Sequence, residues 1–267
     1  MNHIEDFLTV NHTRLFCSIS GEGEPLVLIH GGFTDHRVWK HQSAAFASQY
    51  KVVCLDQRGY GKSDLPLGPF SHMEDLKSLL DVLQLSKVNL IGSSLGGAVA
   101  LEFALQYPEA VKSLVLVGSG LKGYPYPPDY LASVMELPGI IQAQGIEAGI
   151  NYILTSPLWD YFFPSPNHPE ARASVVQLVK DSVNVFRWNP MWDVALDPSA
   201  YERLGEIKIP VLMIIGDRDS HYVMEIGDYI HGKIENSGKV MMKDCCHHPF
   251  VEKPQEFNRL VQDFLTK

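Results

Sequence analysis

The chain has 267 residues, of which 45% are apolar and 20% charged, with 21 Gly and 17 Pro. This composition excludes a disordered, collagen-like or coiled-coil chain, and the length suits one large domain or one domain with an insertion. The net charge of −9 comes without a basic run, which argues against nucleic acid and anionic membranes as partners.

The N-terminal sequence and the cysteines bear on the cellular location. Residues 1–6 lack the basic and apolar regions of a signal peptide, and no apolar stretch reaches the roughly 18 residues of a membrane span. The cysteines form neither a disulfide framework nor a metal-binding spacing. We therefore expect a cytoplasmic protein with no membrane segment, no metal and no cofactor.

The first half of the chain alternates between predicted strands and helices. Residues 7–20 alternate apolar and polar side chains and predict two edge strands. Short, nearly continuous apolar runs then predict buried parallel strands, over 26–29, 51–55, 88–91 and 114–117. Apolar residues at helical spacing predict the helices between them, over 39–48, 73–85 and 95–107. This order predicts a doubly wound, mostly parallel α/β sheet.

The strand signal disappears over residues 121–197, which we call the insertion. Nine prolines divide it into helical pieces rich in Tyr, Trp and Phe, so we predict a helical cap. Residues 1–120 and 198–267 would form the α/β core. In the second part of that core, the pattern predicts strands over 211–215 and 239–243 and helices near 223–230 and over 254–265.

A G-x-S-x-G pattern, Gly92-Ser93-Ser94-Leu95-Gly96, lies between a predicted strand and a predicted helix. A sharp turn there would hold the Ser94 hydroxyl above the sheet, where it could act as a nucleophile, and the flanking glycines would relieve crowding. The alternative is a structural glycine-rich turn.

A serine nucleophile needs a base and an acid that orients the base. Asp219 follows the strand over 211–215, and His247 follows the next one. Each residue alone is more often structural, but the order Ser, Asp, His is that of one hydrolase class. The amides of Gly32, in a His-Gly-Gly turn, and Leu95 would form an oxyanion hole, with a simple tight turn as the alternative.

The sequence resembles the capped, serine-nucleophile branch of the α/β-hydrolase superfamily. The matching segments are residues 30–32, 56–64, 92–97, 216–219, 247–249 and 252–254. The resemblance implies an α/β-hydrolase fold with Ser94 as nucleophile, His247 as base and Asp219 as acid. It also implies Gly32 and Leu95 as oxyanion donors, and a mainly structural role for the 56–64 loop.

Some positions depart from the family pattern or compete for a role. Cys246 stands where the family commonly has Gly, and we favour a buried small hydrophobe there over a redox thiol. His248 and His221 are rival bases, while Asp217 is more consistent with a turn. Ser94 at the elbow argues against haloalkane dehalogenases and epoxide hydrolases, whose nucleophile is Asp.

The aromatic insertion favours a small or medium, largely apolar acyl compound as substrate, although such residues commonly serve packing. Arg172 or Arg187 could instead pair with a substrate carboxylate. The leading function is hydrolysis of a carboxylic ester or lactone through an acyl-enzyme. The alternatives are a carbon–carbon bond hydrolase of a vinylogous diketone and a slow-turnover ligand-sensing or regulatory protein.

Overall fold

The computed structural model describes residues 3–267, so Met1 and Asn2, at the start of the predicted core, lie outside the described residues. Its strands, in chain order, are β1 (His3–Val10), β2 (Thr13–Ser20), β3 (Glu24–Ile29), β4 (Tyr50–Leu55), β5 (Val88–Ser93), β6 (Val111–Val117), β7 (Val211–Gly216) and β8 (Ser237–Met242). Its α-helices are α1 (Lys40–Phe46), α2 (His72–Val82), α3 (Leu95–Gln106), α4 (Pro128–Gln144), α5 (Ile146–Thr155), α6 (Pro169–Asp181), α7 (Ala200–Arg203), α8 (His221–Lys233), α9 (Pro249–Glu252) and α10 (Pro254–Leu265).

The eight strands form one sheet in the order β1-β2-β4-β3-β5-β6-β7-β8. β1 and β2 are antiparallel, as are β2 and β4, whereas all other neighbours are parallel. The predicted strands and helices are present, with ends that differ by a few residues. One difference is that β1 begins at His3 rather than at residue 7, because pairing with β2 orders four exposed, mostly polar residues that carry little apolar signal.

The short apolar runs are strands because both faces of the sheet are covered. Along β3, Val27 and Ile29 belong to the apolar cluster under α2, α3 and α8, and Leu26 and Leu28 belong to the opposite cluster with α1 and α10. All four side chains are at most 1% exposed. Since residues of a strand alternate between faces, a continuous apolar run is the pattern that a doubly covered strand requires.

The insertion lies between β6 and α7 and contributes no strand to the sheet. It contains α4, α5, α6 and several 3₁₀ turns. Its buried apolar side chains belong to the same cluster as α1 and α10, except for Leu121, which packs on the opposite face of the sheet. Two side chains fix it to the loop after β4: Trp188 Nε1 donates to Gly59 O at 3.2 Å, and Asn184 Nδ2 donates to Gly61 O at 2.9 Å. The division into core and cap stays a prediction.

A buried charge cluster joins the two ends of the insertion to α3. Lys122 Nζ lies 2.8 Å from both Glu102 Oε2 and Asp193 Oδ2. Glu102 also accepts the Leu196 N–H at 2.8 Å, and its side chain is only 1% exposed. Lys122 lies at the start of the insertion and Asp193 lies near its end. Both ends of the insertion therefore meet at Glu102 of α3.

Among residues 3–267, every helix falls short of the length and apolarity needed to cross a bilayer.

Replacing Glu102 should test how much this charge cluster contributes to stability. Glu102→Ala leaves Lys122 one carboxylate short and the Leu196 N–H without its acceptor, so we expect a loss of about 3 kcal/mol in the free energy of unfolding. For a chain of this size, that corresponds to a decrease in Tm on the order of 10 °C. Calorimetry would measure it, with the exposed Glu109→Ala as control. Equal Tm values for the two variants would contradict the assignment.

Candidate active site

Ser94 lies at a sharp turn between β5 and α3. Its backbone has φ 51° and ψ −115°, a region that non-glycine residues rarely occupy. The Ser94 N–H donates to Val117 O at 2.9 Å, and the Ser94 carbonyl accepts from Gly97 N and Gly120 N, each at 3.0 Å. The side chain does not cap α3. The turn therefore leaves the hydroxyl free of any capping role.

Two glycines allow the close packing around this turn. A Cβ at Gly96 would lie 2.3 Å from Ile29 O, and one at Gly92 would lie 2.4 Å from Gly96 O. Both distances are below any normal contact, so α3 could not approach β3 and β5 this closely with larger residues. This close packing explains why the sequence pattern has glycine at both positions.

Asp219 and His247 meet across the carboxyl ends of β7 and β8. His247 Nδ1 lies 3.0 Å from Asp219 Oδ1 and 2.9 Å from Oδ2, and both side chains are at most 3% exposed. Asp219 Oδ1 also accepts the Ser220 N–H at 2.7 Å. Because a carboxylate accepts hydrogen bonds, this pairing favours the His247 tautomer that carries its proton on Nδ1.

The loop that carries His247 is held by the insertion. His247 N donates to Tyr161 O at 3.1 Å. Glu252 accepts the Cys246 N–H at 2.7 Å with one oxygen and the Ser165 N–H at 2.9 Å with the other. The sequence pattern assigns no role to Glu252, although this residue lies in segment 252–254, one of those that resemble the family.

The rival residues lie in other environments. His248 is buried, its Nδ1 is 2.8 Å from Phe162 O, and burial lowers its pKa to about 3. The His221 side chain is 86% exposed beside Glu225. The nearest cation to the Asp217 carboxylate is Lys243 Nζ, at 3.7 Å. Among the candidate bases and acids, all of which the structure describes, Asp219 and His247 are the pair that hydrogen-bonds to each other.

Cys246 precedes the paired histidine and is 8% exposed. Burial raises the pKa of its thiol to about 12, so the sulfur stays protonated and unreactive near neutral pH. The residue fits the small buried hydrophobe favoured from sequence.

Ser94, His247, Gly32 and Leu95 line a common cavity of about 220 Å³, the Ser94 cavity. Aromatic side chains make up much of its remaining wall: Phe33, Tyr126, Tyr130, Trp159, Tyr161, Phe162 and Tyr222. Ser94 and His247, both among the described residues, line this cavity but are not hydrogen-bonded to each other. Catalytic hydrogen bonds are commonly long in a structure without substrate and shorten when substrate binds. Their catalytic roles stay a prediction.

The predicted oxyanion donors come from two neighbouring elements. Leu95 is the first residue of α3, where an amide has no acceptor within the helix and the helix dipole is positive. Gly32 follows β3, next to the Gly31 position at which a Cβ would lie 3.1 Å from Ser94 Cβ. Both residues line the Ser94 cavity, and their role as oxyanion donors stays a prediction.

The cations near the cavity differ from those suggested by sequence. Arg172 pairs with Asp160 at 2.9 Å, Arg187 contacts Asn184 at 3.3 Å, and neither lines the Ser94 cavity. Within residues 3–267, Lys122 is the one lysine or arginine that does. Burial lowers the pKa of Lys122, but its two carboxylate partners outweigh this effect and leave the pKa raised overall. No motif marked this lysine in the sequence.

Among residues 3–267, two groups of His, Cys and acidic side chains bring possible metal ligands within 4.8 Å of one another: His168, Cys245 and Glu252, and Asp35, His36 and Asp56. Both Glu252 oxygens already accept backbone N–H groups, as do both Asp56 oxygens. These groups hold loops together, and neither contains Ser94 or His247.

Comparison with known proteins agrees with this architecture. Residues 24–142 match a family model described as the α/β hydrolase fold. The chain is 30% identical over 266 residues to a 2-hydroxy-6-oxononadienedioate/2-hydroxy-6-oxononatrienedioate hydrolase of Cupriavidus pinatubonensis, covering 94% of this chain and 90% of that protein.

Solved structures resemble the chain over nearly its whole length. An enol-lactonase from Burkholderia xenovorans has a TM-score of 0.82 at 23% identity, covering 98% of this chain and all of that one. An esterase from Exiguobacterium antarcticum has a TM-score of 0.81 at 21% identity, covering 99% of this chain and 100% of that one. Together with the sequence matches, they confirm the predicted fold and the prediction of a hydrolase.

Buried neutral His248 should make stability depend on pH. The unfolded chain takes up a proton at this residue below about pH 6.5, whereas the folded chain does so only near pH 3, so the free energy of unfolding decreases as the pH falls through this window. In His248→Asn, the decrease should be smaller by up to about 1.4 kcal/mol per pH unit. Urea unfolding at pH 7, 6 and 5 would measure it.

The exposed His221→Asn is the matched control and should follow the parent protein. The same pH dependence in His248→Asn and in the parent would contradict the assignment of a neutral His248.

Proposed function

This chain belongs to the α/β-hydrolase family, and on that basis we propose that it hydrolyses small to medium, largely apolar carboxylic esters or lactones through an acyl-enzyme. In this proposal Ser94 is the nucleophile, His247 the general base and Asp219 the acid that orients it. Gly32 and Leu95 supply the oxyanion donors.

One observation carries the proposal. Ser94 occupies a strained strand-to-helix turn and lines the same cavity as His247. The Nδ1 atom of His247 is hydrogen-bonded to the buried Asp219. A structural glycine-rich turn would not need a strained serine in the wall of a cavity that a buried histidine also lines. Strain of this kind is concentrated at functional sites.

The reaction follows from these positions. Ser94 Oγ attacks the carbonyl carbon and gives its proton to His247 Nε2, while Asp219 stabilises the imidazolium that forms. The negative charge on the carbonyl oxygen is met by the Gly32 and Leu95 amides and by the positive end of α3. His247 then protonates the leaving oxygen as its bond to carbon breaks, and a water molecule activated by His247 releases the acid from Ser94.

The cavity wall supports an apolar substrate. Its aromatic side chains offer apolar surface, and Lys122 is already paired with Glu102 and Asp193. A carboxylate on the substrate would therefore have to compete with two protein carboxylates for this lysine.

We also propose that the insertion acts as a lid over Ser94. Residues of the insertion that line the Ser94 cavity are Lys122, Tyr126, Tyr130, Trp159, Tyr161 and Phe162. A lid that excludes water strengthens the electrostatic interactions within the site and shapes the acyl pocket. Substitutions there should alter substrate preference more than the chemistry.

A second candidate is a carbon–carbon bond hydrolase that uses the same three residues. The observation in its favour is the 30% identity to a relative named for a dioate that carries a 6-oxo group. Against it stands the lack of an unpaired lysine or arginine among the described residues that line the Ser94 cavity.

Ser94→Ala should abolish ester hydrolysis, because loss of the nucleophile removes several powers of ten in kcat, on the order of 10⁴ to 10⁶. His247→Ala should lose nearly as much, and His248→Asn should keep most of the activity. The measurement is kcat on p-nitrophenyl esters of short acids, with circular dichroism to verify folding. A fluorophosphonate should label Ser94, and an adduct on another residue would contradict the nucleophile.

The substrate panel for this measurement contains esters, lactones and a vinylogous diketone dioate. Faster turnover of the dioate than of any ester would favour the second candidate. Turnover of every compound at a rate too slow for metabolism, with tight binding retained, would favour the ligand-sensing alternative.

Asp219→Asn should lower kcat by up to about 10⁴, since the amide cannot stabilise the imidazolium and favours the wrong tautomer of His247. Asp217→Asn is the matched control in the same loop, and its effect should fall on stability rather than on kcat. Steady-state kinetics and Tm would be compared for both. Similar losses of kcat at unchanged Tm would contradict Asp219 as the acid.

A further inference from the structure

A second cavity of about 260 Å³, the outer cavity, lies beside the Ser94 cavity. Most of its wall is apolar surface, from Pro127, Leu158 and the rings of three tyrosines. Its polar lining residues are Asp129, Ser133, Ser220 and His221. No step of the proposed reaction has used this space.

The two cavities share Tyr130, Tyr161 and Tyr222, which we call the tyrosine partition. Tyr130 comes from α4, Tyr161 from a 3₁₀ turn of the insertion, and Tyr222 from the first turn of α8. The Tyr130 and Tyr222 rings are 4.6 Å apart, and the Tyr161 and Tyr222 hydroxyls are hydrogen-bonded to each other. Side chains from three separate elements thus form a wall common to both cavities, and an ester that occupies both must pass beside their rings.

The partition is uncharged. Burial raises the pKa of Tyr130 to about 12 and raises the pKa of Tyr161 and of Tyr222 as well. All three phenols therefore stay protonated near neutral pH. Their rings present apolar faces that suit an aryl or alkyl group better than an ion.

The partition contacts the base of the proposed reaction. The Tyr161 ring lies 5.7 Å from the His247 ring, the Tyr161 carbonyl accepts the His247 N–H, and Tyr222 follows Asp219 by three residues. His247 must reach the leaving oxygen to protonate it. The leaving group therefore lies on the His247 side of the scissile bond, next to the partition.

We propose that the outer cavity is a leaving-group subsite that takes an apolar or aromatic alcohol portion, while the Ser94 cavity holds the acyl portion. This proposal rests on the proposed ester hydrolysis. The Ser94 Oγ–carbon bond forms, the ester carbon–oxygen bond breaks, and the serine proton passes through His247 to the departing alcohol.

The volumes are consistent with this division. The Ser94 cavity, about 220 Å³, is smaller than the roughly 300 to 1,000 Å³ of most small-molecule sites. The outer cavity, about 260 Å³, brings the combined space into that range. An ester with a bulky alcohol therefore needs both cavities, whereas an ethyl ester needs only the first.

The first test fills the outer cavity from its rim with Leu158→Trp. Leu158 is 51% exposed and lines the outer cavity but not the Ser94 cavity. Butyrate esters of ethanol, benzyl alcohol and 2-naphthol would be followed by acid release in a pH-stat. The ratio of kcat/KM for the naphthyl ester to that for the ethyl ester should fall by about tenfold or more.

Leu131→Trp is the matched control, since Leu131 is 45% exposed on α4 and lines neither cavity. It should leave the ratio unchanged. If Leu158→Trp also leaves the ratio unchanged, the subsite is overturned. The subsite is also overturned if Leu158→Trp instead changes how kcat/KM depends on the length of the acyl group, measured with ethyl esters from acetate to octanoate.

A second variant loosens the partition without adding bulk. Tyr222→Phe removes the hydrogen bond to Tyr161, so the naphthyl-to-ethyl ratio should rise by up to about fivefold. Tyr229→Phe, on the same helix and outside both cavities, is its control. A fall in the ratio would overturn the partition.

These results separate the two proposals. If no ester is hydrolysed in a way that depends on Ser94, the proposed function fails and the subsite with it. If esters are hydrolysed but the ratios do not respond to Leu158→Trp, only the subsite fails.

Discussion

The backbone of Ser94 is held at a strained, positive φ by hydrogen bonds that join β5, β6 and α3. Its N–H donates to Val117 O, and its carbonyl accepts from Gly97, Ala98 and Gly120. A single strained residue is stable there because three elements fix both of its peptide groups. The same arrangement places the first amide of α3 next to the serine side chain, so the proposed nucleophile and one oxyanion donor depend on one turn.

The other half of the site depends on the insertion. The Tyr161 carbonyl fixes the backbone of His247, and Glu252 ties the same loop to Ser165 through two backbone N–H groups. The imidazole is thus positioned from one side by Asp219 of the core and from the other by residues of the insertion. A movement of the insertion relative to the sheet would alter the geometry at Nε2 and the shape of the cavity together.

The sequence predicted the parts of the molecule that local patterns encode. Apolar runs predict β3 and β5 because both faces of the sheet are covered, and the spacing of small residues around Ser94 predicts the turn because a Cβ at Gly96 would collide with β3. Lys122 and the tyrosine partition could not be predicted, since their meaning arises from contacts between elements far apart in the chain. Arg172 shows the opposite. Its charge made it a candidate partner for a substrate carboxylate, but in the fold it pairs with Asp160.

The charge cluster at α3 also bears on how such chains diversify. Lys122 and Asp193 are about seventy positions apart in sequence, yet their side chains form an ion pair beside Glu102 of α3. The insertion therefore leaves the core and returns to it at one point. A segment that departs and returns at one place can be lengthened, shortened or exchanged at a small entropic penalty, about 0.6 kcal/mol for each doubling of its length. The sheet and the insertion can therefore evolve at different rates, because the chain passes between them at one place.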